Sequence, residues 1–192
     1  MRIRSLIPAL VAALALPVLA QDVYKIDPVH SQVGFKVRHF VAKVSGRFAK
    51  FQGTIQVDPK DISKSSVEVT IDATSINTDN EGRDKHLRSA DFFEVEKFPT
   101  ITFKSSSVKE VAKGKLEVTG NLTIRGVSKQ VTFPITNAGT RETRPGKVVA
   151  GFIDGALRIN RMDFGVKYGP AVVGEDVDIE LNVEAGKQDA SK

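Results

Sequence analysis

From Val23 to Ala185, apolar and polar residues alternate with a period of two along most of the chain. Val33, Phe35, Val37 and His39 fall on one side of the first clear run, with Gly34, Lys36 and Arg38 on the other. Phe51, Ile55 and Val57 continue the pattern after Gly46-Arg47-Phe48, and Val67, Val69, Ile71 and Ala73 alternate with Glu68, Thr70 and Asp72. Downstream come Ile101 and Phe103, then Leu116, Val118, Leu122 and Ile124, then Val131, Phe133 and Ile135. The last sets are Val149, Ile153, Leu157 and Ile159, then Val177, Ile179, Leu181 and Val183. One buried face and one wetted face is the pattern of antiparallel sheet. Turn chemistry separates the runs at Asp58-Pro59-Lys60-Asp61, Lys113-Gly114-Lys115, Arg125-Gly126-Val127-Ser128 and Arg144-Pro145-Gly146-Lys147. Such short connections pair each strand with its sequence neighbour. The predicted fold class is therefore all-β, with about eight antiparallel strands in an up-and-down barrel and a β-sandwich as the alternative. The runs 46–57 and 147–159 are long, which makes any interior space deep.

One stretch departs from this period. Residues 83–93 contain neither Gly nor Pro, and Leu87, Ala90 and Phe93 (beside Phe92) recur at helical spacing. Asp79, Asn80 and Asp84 offer N-caps. Phe98-Pro99 ends the segment, because a residue before proline is pushed toward extended geometry. The prediction is one short helix near residues 83–93, set between long strands as a plug or lid over an enclosed interior.

Composition sharpens this picture. Eleven phenylalanines stand against two tyrosines and no tryptophan, so most buried rings lack a polar handle. The inward set fits a packed β core. It equally fits a lipid pocket lined by Phe35, Val37, Phe51, Phe103, Leu122, Phe133, Leu157 and Ile159. Cysteine is absent, which excludes disulfides and a lipoprotein anchor and leaves the core alone to hold the fold.

Residues 1–20 read as a cleavable signal peptide. Arg2 and Arg4 precede an apolar run from Leu6 to Leu19, interrupted by Pro8 and Pro17, and Val18-Leu19-Ala20 suits the peptidase. The run is too short and too broken for a stable membrane span, and no twin-arginine pair precedes it. The expected product begins at Gln21, is periplasmic, and forms one domain over residues 21–186 with a disordered polar tail at 187–192. Losing Arg2 and Arg4 lowers the formal charge from +5 to +3. That mild surplus on a mixed-sign surface argues against nucleic acid as a partner.

Groups that could carry chemistry are few. His30, His39 and His86 are the three histidines, and no H-x-x-x-H or H-E-x-x-H spacing occurs, so no metal or cofactor is expected. No G-x-S-x-G elbow exists, and Asp27, His30 and Ser31 make poor triad geometry because neighbouring strand residues point to opposite faces. No catalytic residue is expected. His39, in phase with Phe35 and Val37, is expected to point inward near the rim. Arg83, Lys85, His86 and Arg88 mingle with Asp79, Glu81, Asp84 and Asp91. They read either as a solvated helix face or as a set in which Arg83, His86 or Arg88 meets an anionic or carbonyl head group. Arg161 and Asp163 are expected to pair.

The patterns T-x-N-x-x-R-D-x-H-L-R-S-A-D-F-F and F-P-x-I-x-F-K-S, between Thr78 and Ser105, resemble the YceI-like family of bacterial lipid-binding proteins. YKIDPVHSQVGFKV (24–37), GNLTIRGVSKQVTFP (120–134) and INRMDFGV (159–166) agree in the same order. The resemblance implies a lipocalin-like barrel holding a polyisoprenoid, an isoprenoid quinone or a similar long-chain lipid, without catalysis. A homodimer is compatible with it. Two rivals stand beside this expectation. One is an enzyme acting on a lipid or small molecule through the rim histidines and carboxylates. The other is a ligand-free stress-response protein that works through partner contacts.

Overall fold

The structure is a computed structural model that describes residues 21–189. The expected signal peptide at 1–20 and residues 190–192 of the expected tail lie outside the described residues. Eleven strand segments occur among the described residues: β1 (Asp22–Ile26), β2 (Gln32–His39), β3 (Ala42–Phe48), β4 (Phe51–Val57), β5 (Ser66–Asp72), β6 (Ile76–Asn77), β7 (Thr100–Ala112), β8 (Lys115–Ile124), β9 (Val127–Arg144), β10 (Lys147–Asn160) and β11 (Val173–Lys187). A single α-helix, α1 (Glu81–Arg88), lies between β6 and β7.

The first six segments are three broken strands. β1 and β2 lie end to end along β11. β3 pairs with β2 and β4 with β1, while β5 pairs with β4 and the short β6 with β3. The described segments therefore occupy eight positions around a closed antiparallel barrel, each beside its sequence neighbour, with β11 returning to β1 and β2. The up-and-down barrel is the observed architecture, and the sandwich is not.

Each break is held by specific hydrogen bonds. In the β1–β2 interruption Asp27 N–H donates to Glu184 O at 2.9 Å, and the Ser31 hydroxyl both donates to Glu184 O and accepts from Glu184 N–H. At the β3–β4 corner Ala49 N–H and Lys50 N–H donate to Ser75. The expected run 46–57 is thus one path with a corner in it.

Two of the slips in strand pairing displace the expected alternation. In β10 the pairing to β11 slips between Phe152 and Gly155, where Asp154 adopts φ 57°. An inserted residue reverses which side chains face in. Phe152 is therefore buried and Ile153 is 39% exposed, the opposite of the expected Ile153-in phase. Beyond the bulge Leu157 and Ile159 return to the interior. In β7 the slip lies between Ser105 and Ser107, so the inward row passes from Ile101 and Phe103 to Val108. The Ser105 hydroxyl accepts from Val67 N–H at 2.9 Å, which satisfies a backbone donor that the slip would otherwise strand.

The helix is shorter than expected and starts earlier. Asn80 caps it by accepting from Arg83 N–H at 2.9 Å, and Ser89 closes it through His86 O. Residues 89–98 then turn back on themselves, with Glu94 at φ 50°. This puts Phe92 and Phe93 beneath α1 instead of on it, while Ala90 is exposed. At the other end of the chain β11 runs to Lys187, and Gln188 N–H still donates to Val23 O. No helix among the described residues is long and apolar enough to cross a membrane.

Candidate functional site

The barrel interior is hollow. A cavity of about 250 Å³ runs through it. Its wall includes Phe35 and Val37 from β2, Phe51 and Ile55 from β4, and Phe103 from β7. Leu122 from β8, Phe133 from β9, Leu157 and Ile159 from β10, and Ile179 from β11 complete it. One end is closed by Leu87, Phe92 and Phe93 of the lid segment, with Phe164 and Val166 from the turn that follows β10. Ile62 and Val57 lie at the other end. Ring contacts carry the wall into the lid: Phe35 and Phe48 are 5.9 Å apart by centroid, and Phe48 meets Phe93 edge-on at 5.8 Å. Gly120 keeps one side thin. A Cβ there would sit 2.5 Å from both Phe103 Cζ and Lys104 O, so the glycine leaves the space that ring occupies.

The surface facing the cavity is wholly apolar. Ser65, Ser66 and Arg161 border it, but their polar atoms are engaged elsewhere. Ser65 Oγ accepts from Asp58 N–H at 3.1 Å, and Ser66 Oγ donates to Gln56 at 3.3 Å. Arg161, 5% exposed, donates to Gly174 O at 2.8 Å, Val166 O at 2.6 Å and Val173 O at 2.9 Å. Burial pushes its guanidinium pKa down, opposed by Glu175. The expected Arg161–Asp163 pair does not form: Arg161 clips the turn to the start of β11, and Asp163 is exposed. Such a dry apolar space suits hydrocarbon and offers water no partners.

All eight apolar residues expected in the pocket line it: Phe35, Val37, Phe51, Phe103, Leu122, Phe133, Leu157 and Ile159. The three polar ones do not. His39 has the expected phase, but it lies past the cavity's end, paired with Ala42 and Val173 and exposed edge-on to Phe40. On α1 the residues turned toward the barrel are Asp84, Leu87 and Arg88, at i, i+3 and i+4. His86 projects away from Asp84, hydrogen-bonds Asp91 at 2.8 Å and meets Tyr168 edge-on. Arg83 is committed to Thr78, donating to its hydroxyl and carbonyl at 2.7 Å each, while buried Asp84 accepts from Thr78 N–H. Arg88 donates to Thr74 O and Ile76 O. The two arginines fasten the lid to the segment 74–78, and neither they nor His86 face the cavity.

Sequence reasoning missed Phe152 and Val108, which lie beyond bulges. It also missed Phe164 and Val166, although Met162, Phe164 and Val166 alternate in INRMDFGV. A second group was not legible because its members are far apart in sequence. Asp27, His30 and Glu184 bring their ligand-type atoms within 4.8 Å of one another on the outer wall. His30 Nδ1 is 2.8 Å from Asp27 Oδ2. That bond raises the histidine's pKa and lowers the carboxylate's.

Comparison with known proteins gives a consistent picture. The sequence profile of the YceI-like domain family matches residues 24–185. A UPF0312 protein of Vibrio parahaemolyticus is 39% identical over 185 residues, covering 93% of this chain and 95% of its own. The crystal structure of Burkholderia cenocepacia BcnA superposes with a TM-score of 0.76 at 28% identity, over 83% of this chain and 98% of that one. A polyisoprenoid-binding domain of Saccharophagus degradans, described as implicated in plant cell wall breakdown, superposes with a TM-score of 0.65 at 16% identity, over 86% of this chain and 98% of its own. That last likeness is one of fold.

Proposed function

The chain belongs to the family of YceI-like domains, and we propose that it is a non-catalytic periplasmic carrier of a long apolar lipid, a polyisoprenoid or isoprenoid quinone, held inside the barrel. One observation carries the reading: a cavity of about 250 Å³ whose facing surface is apolar from wall to lid. Burial of a hydrocarbon tail there contributes about 0.8 kcal/mol per methylene before ordering costs. With no polar atom facing the space, recognition rests on shape and length, and such a pocket tolerates related tails. The polisoprenoid-binding domain of the same fold supports the choice of ligand class. The leader pattern of residues 1–20 supports export.

The test is native mass spectrometry of the protein purified from a periplasmic extract, followed by organic extraction. The expected result is a mature chain beginning at Gln21 with an adduct that extraction releases as an isoprenoid. A chain that carries no lipid, and takes none up from detergent dispersion, would sink the carrier reading.

A further inference from the structure

The hairpin joining β2 to β3 has an unusual tip. His39 pairs with Ala42, so Phe40 and Val41 form the turn. Phe40 is 57% exposed and Val41 fully exposed. Phe40 adopts φ 49°, a conformation in which tight turns favour Gly, Asn or Asp. An aromatic residue there is not explained by turn geometry. Nor does it serve the core, since neither residue lines the cavity. The tip is nonetheless fixed in place: Phe40 N–H donates to Val172 O at 2.8 Å, and Arg38 donates to Phe40 O at 2.8 Å.

The hairpin that carries this tip is basic, while Glu175 and Asp176 of β11 border the same cleft as Lys36, Arg38 and Lys43. Residues 36–47 contain Lys36, Arg38, Lys43 and Arg47 and no acidic residue. Lys36, Lys43 and Arg47 meet Glu180, Asp178 and Asp79 in exposed pairs, which are weak and exchangeable. Arg38 makes no ion pair among the described residues. Tyr168, 47% exposed, lies at the same end of the barrel, next to Lys167 and in ring contact with Phe92 of the lid at 5.2 Å. Exposed apolar and aromatic side chains amid cations are the make-up of a surface that enters the lipid–water interface.

We propose that the Phe40-Val41 hairpin tip docks the barrel on a bilayer bearing anionic head groups, lid end first. The two side chains enter the acyl boundary, and Arg38 with its basic neighbours meets lipid phosphates. The inference rests on the carrier reading for its purpose, because a carrier must meet the membrane that holds its lipid. It adds the surface and the partner. The cavity's lid, built from Leu87, Phe92 and Phe93, lies at that same end.

The experiment is co-sedimentation of the mature chain with vesicles of equal parts phosphatidylcholine and phosphatidylglycerol. Wild type should pellet with them, and weaken several-fold on pure phosphatidylcholine or at high salt. The double variant Phe40→Ser/Val41→Ser should lose about tenfold in partitioning. Val111→Ser removes an exposed valine at the far end of the barrel and should bind as wild type. Uptake of a detergent-dispersed polyisoprenoid, measured on the same proteins, should be equal in wild type and tip variant, which shows that the variant folds. Failure of wild type to pellet, wild-type binding by the tip variant, or an equal loss in Val111→Ser would overturn the docking surface. Vesicle binding without uptake by wild type would uphold the docking surface and refute the carrier.

Discussion

Leu157 and Arg158 are neighbours on β10 with opposite surroundings. Leu157 faces the cavity. Arg158 points outward and donates to Asp178 at 2.6 Å. Bonds from Arg158 and then Lys43 hold the Asp178 carboxyl down to about 2. Both groups are solvated, so this surface ion pair adds little stability, and what it adds is present above pH ~4 and lost as the pH falls through the depressed pKa. Leu157→Trp should cut uptake of a polyisoprenoid at least tenfold, because the indole occupies the space the tail needs. Its cost in stability should stay below the roughly 1–3 kcal/mol of overpacking a filled core. Arg158→Ala should take up lipid as wild type does. Uptake assays with thermal melts check both, and equal uptake by all three proteins would remove the interior as the site.

At the scale of elements, the lid is fastened by arginines that reach backbone oxygens. Arg125, in the β8–β9 turn at φ 51°, donates to Phe92 O at 2.9 Å and Gly165 O at 3.1 Å, and pairs with Glu94 at 2.9 Å. One side chain thus joins the lid segment to the turn after β10. Removing it should cost about 1–3 kcal/mol of local closure. Arg125→Ala should therefore release bound lipid several-fold faster in a stopped-flow transfer assay, with the equilibrium melt shifted less than the rate. An unchanged rate would mean that lipid leaves by another route. The same elements show what the amino-acid order makes legible. Alternation and turn chemistry are local, so the strand sequence, the barrel and the apolar lining from Phe35 to Ile159 could be read directly. Bulges are not signalled by period, so Phe152 and Val108 were assigned no inward place. The direction of a polar side chain on a short helix depends on where the helix sits, so Arg83 and His86 read either as a solvated face or as head-group contacts at the mouth, and Thr78 and Asp91 hold them away from the cavity.

For the whole molecule, the question is what an unfilled interior means for stability. A barrel held by core packing alone, without cysteine, ordinarily fills its interior to crystal-like density. This one leaves about 250 Å³ open, so its lining lacks the dispersion contacts that a filled core would have. A ligand that occupies the space restores those contacts only in the folded state, and so stabilises it by mass action. At a hundredfold excess over its dissociation constant the gain is about 2.7 kcal/mol, which for a domain of this size raises the melting temperature by about 5–10 °C. Protein stripped of lipid by unfolding and refolding should melt lower than protein as purified, and recover on adding the extracted isoprenoid. In the Leu157→Trp barrel, where the ring already fills part of the cavity, the rise should be largely absent. A rise of the same size in that variant would place the lipid somewhere other than inside the barrel.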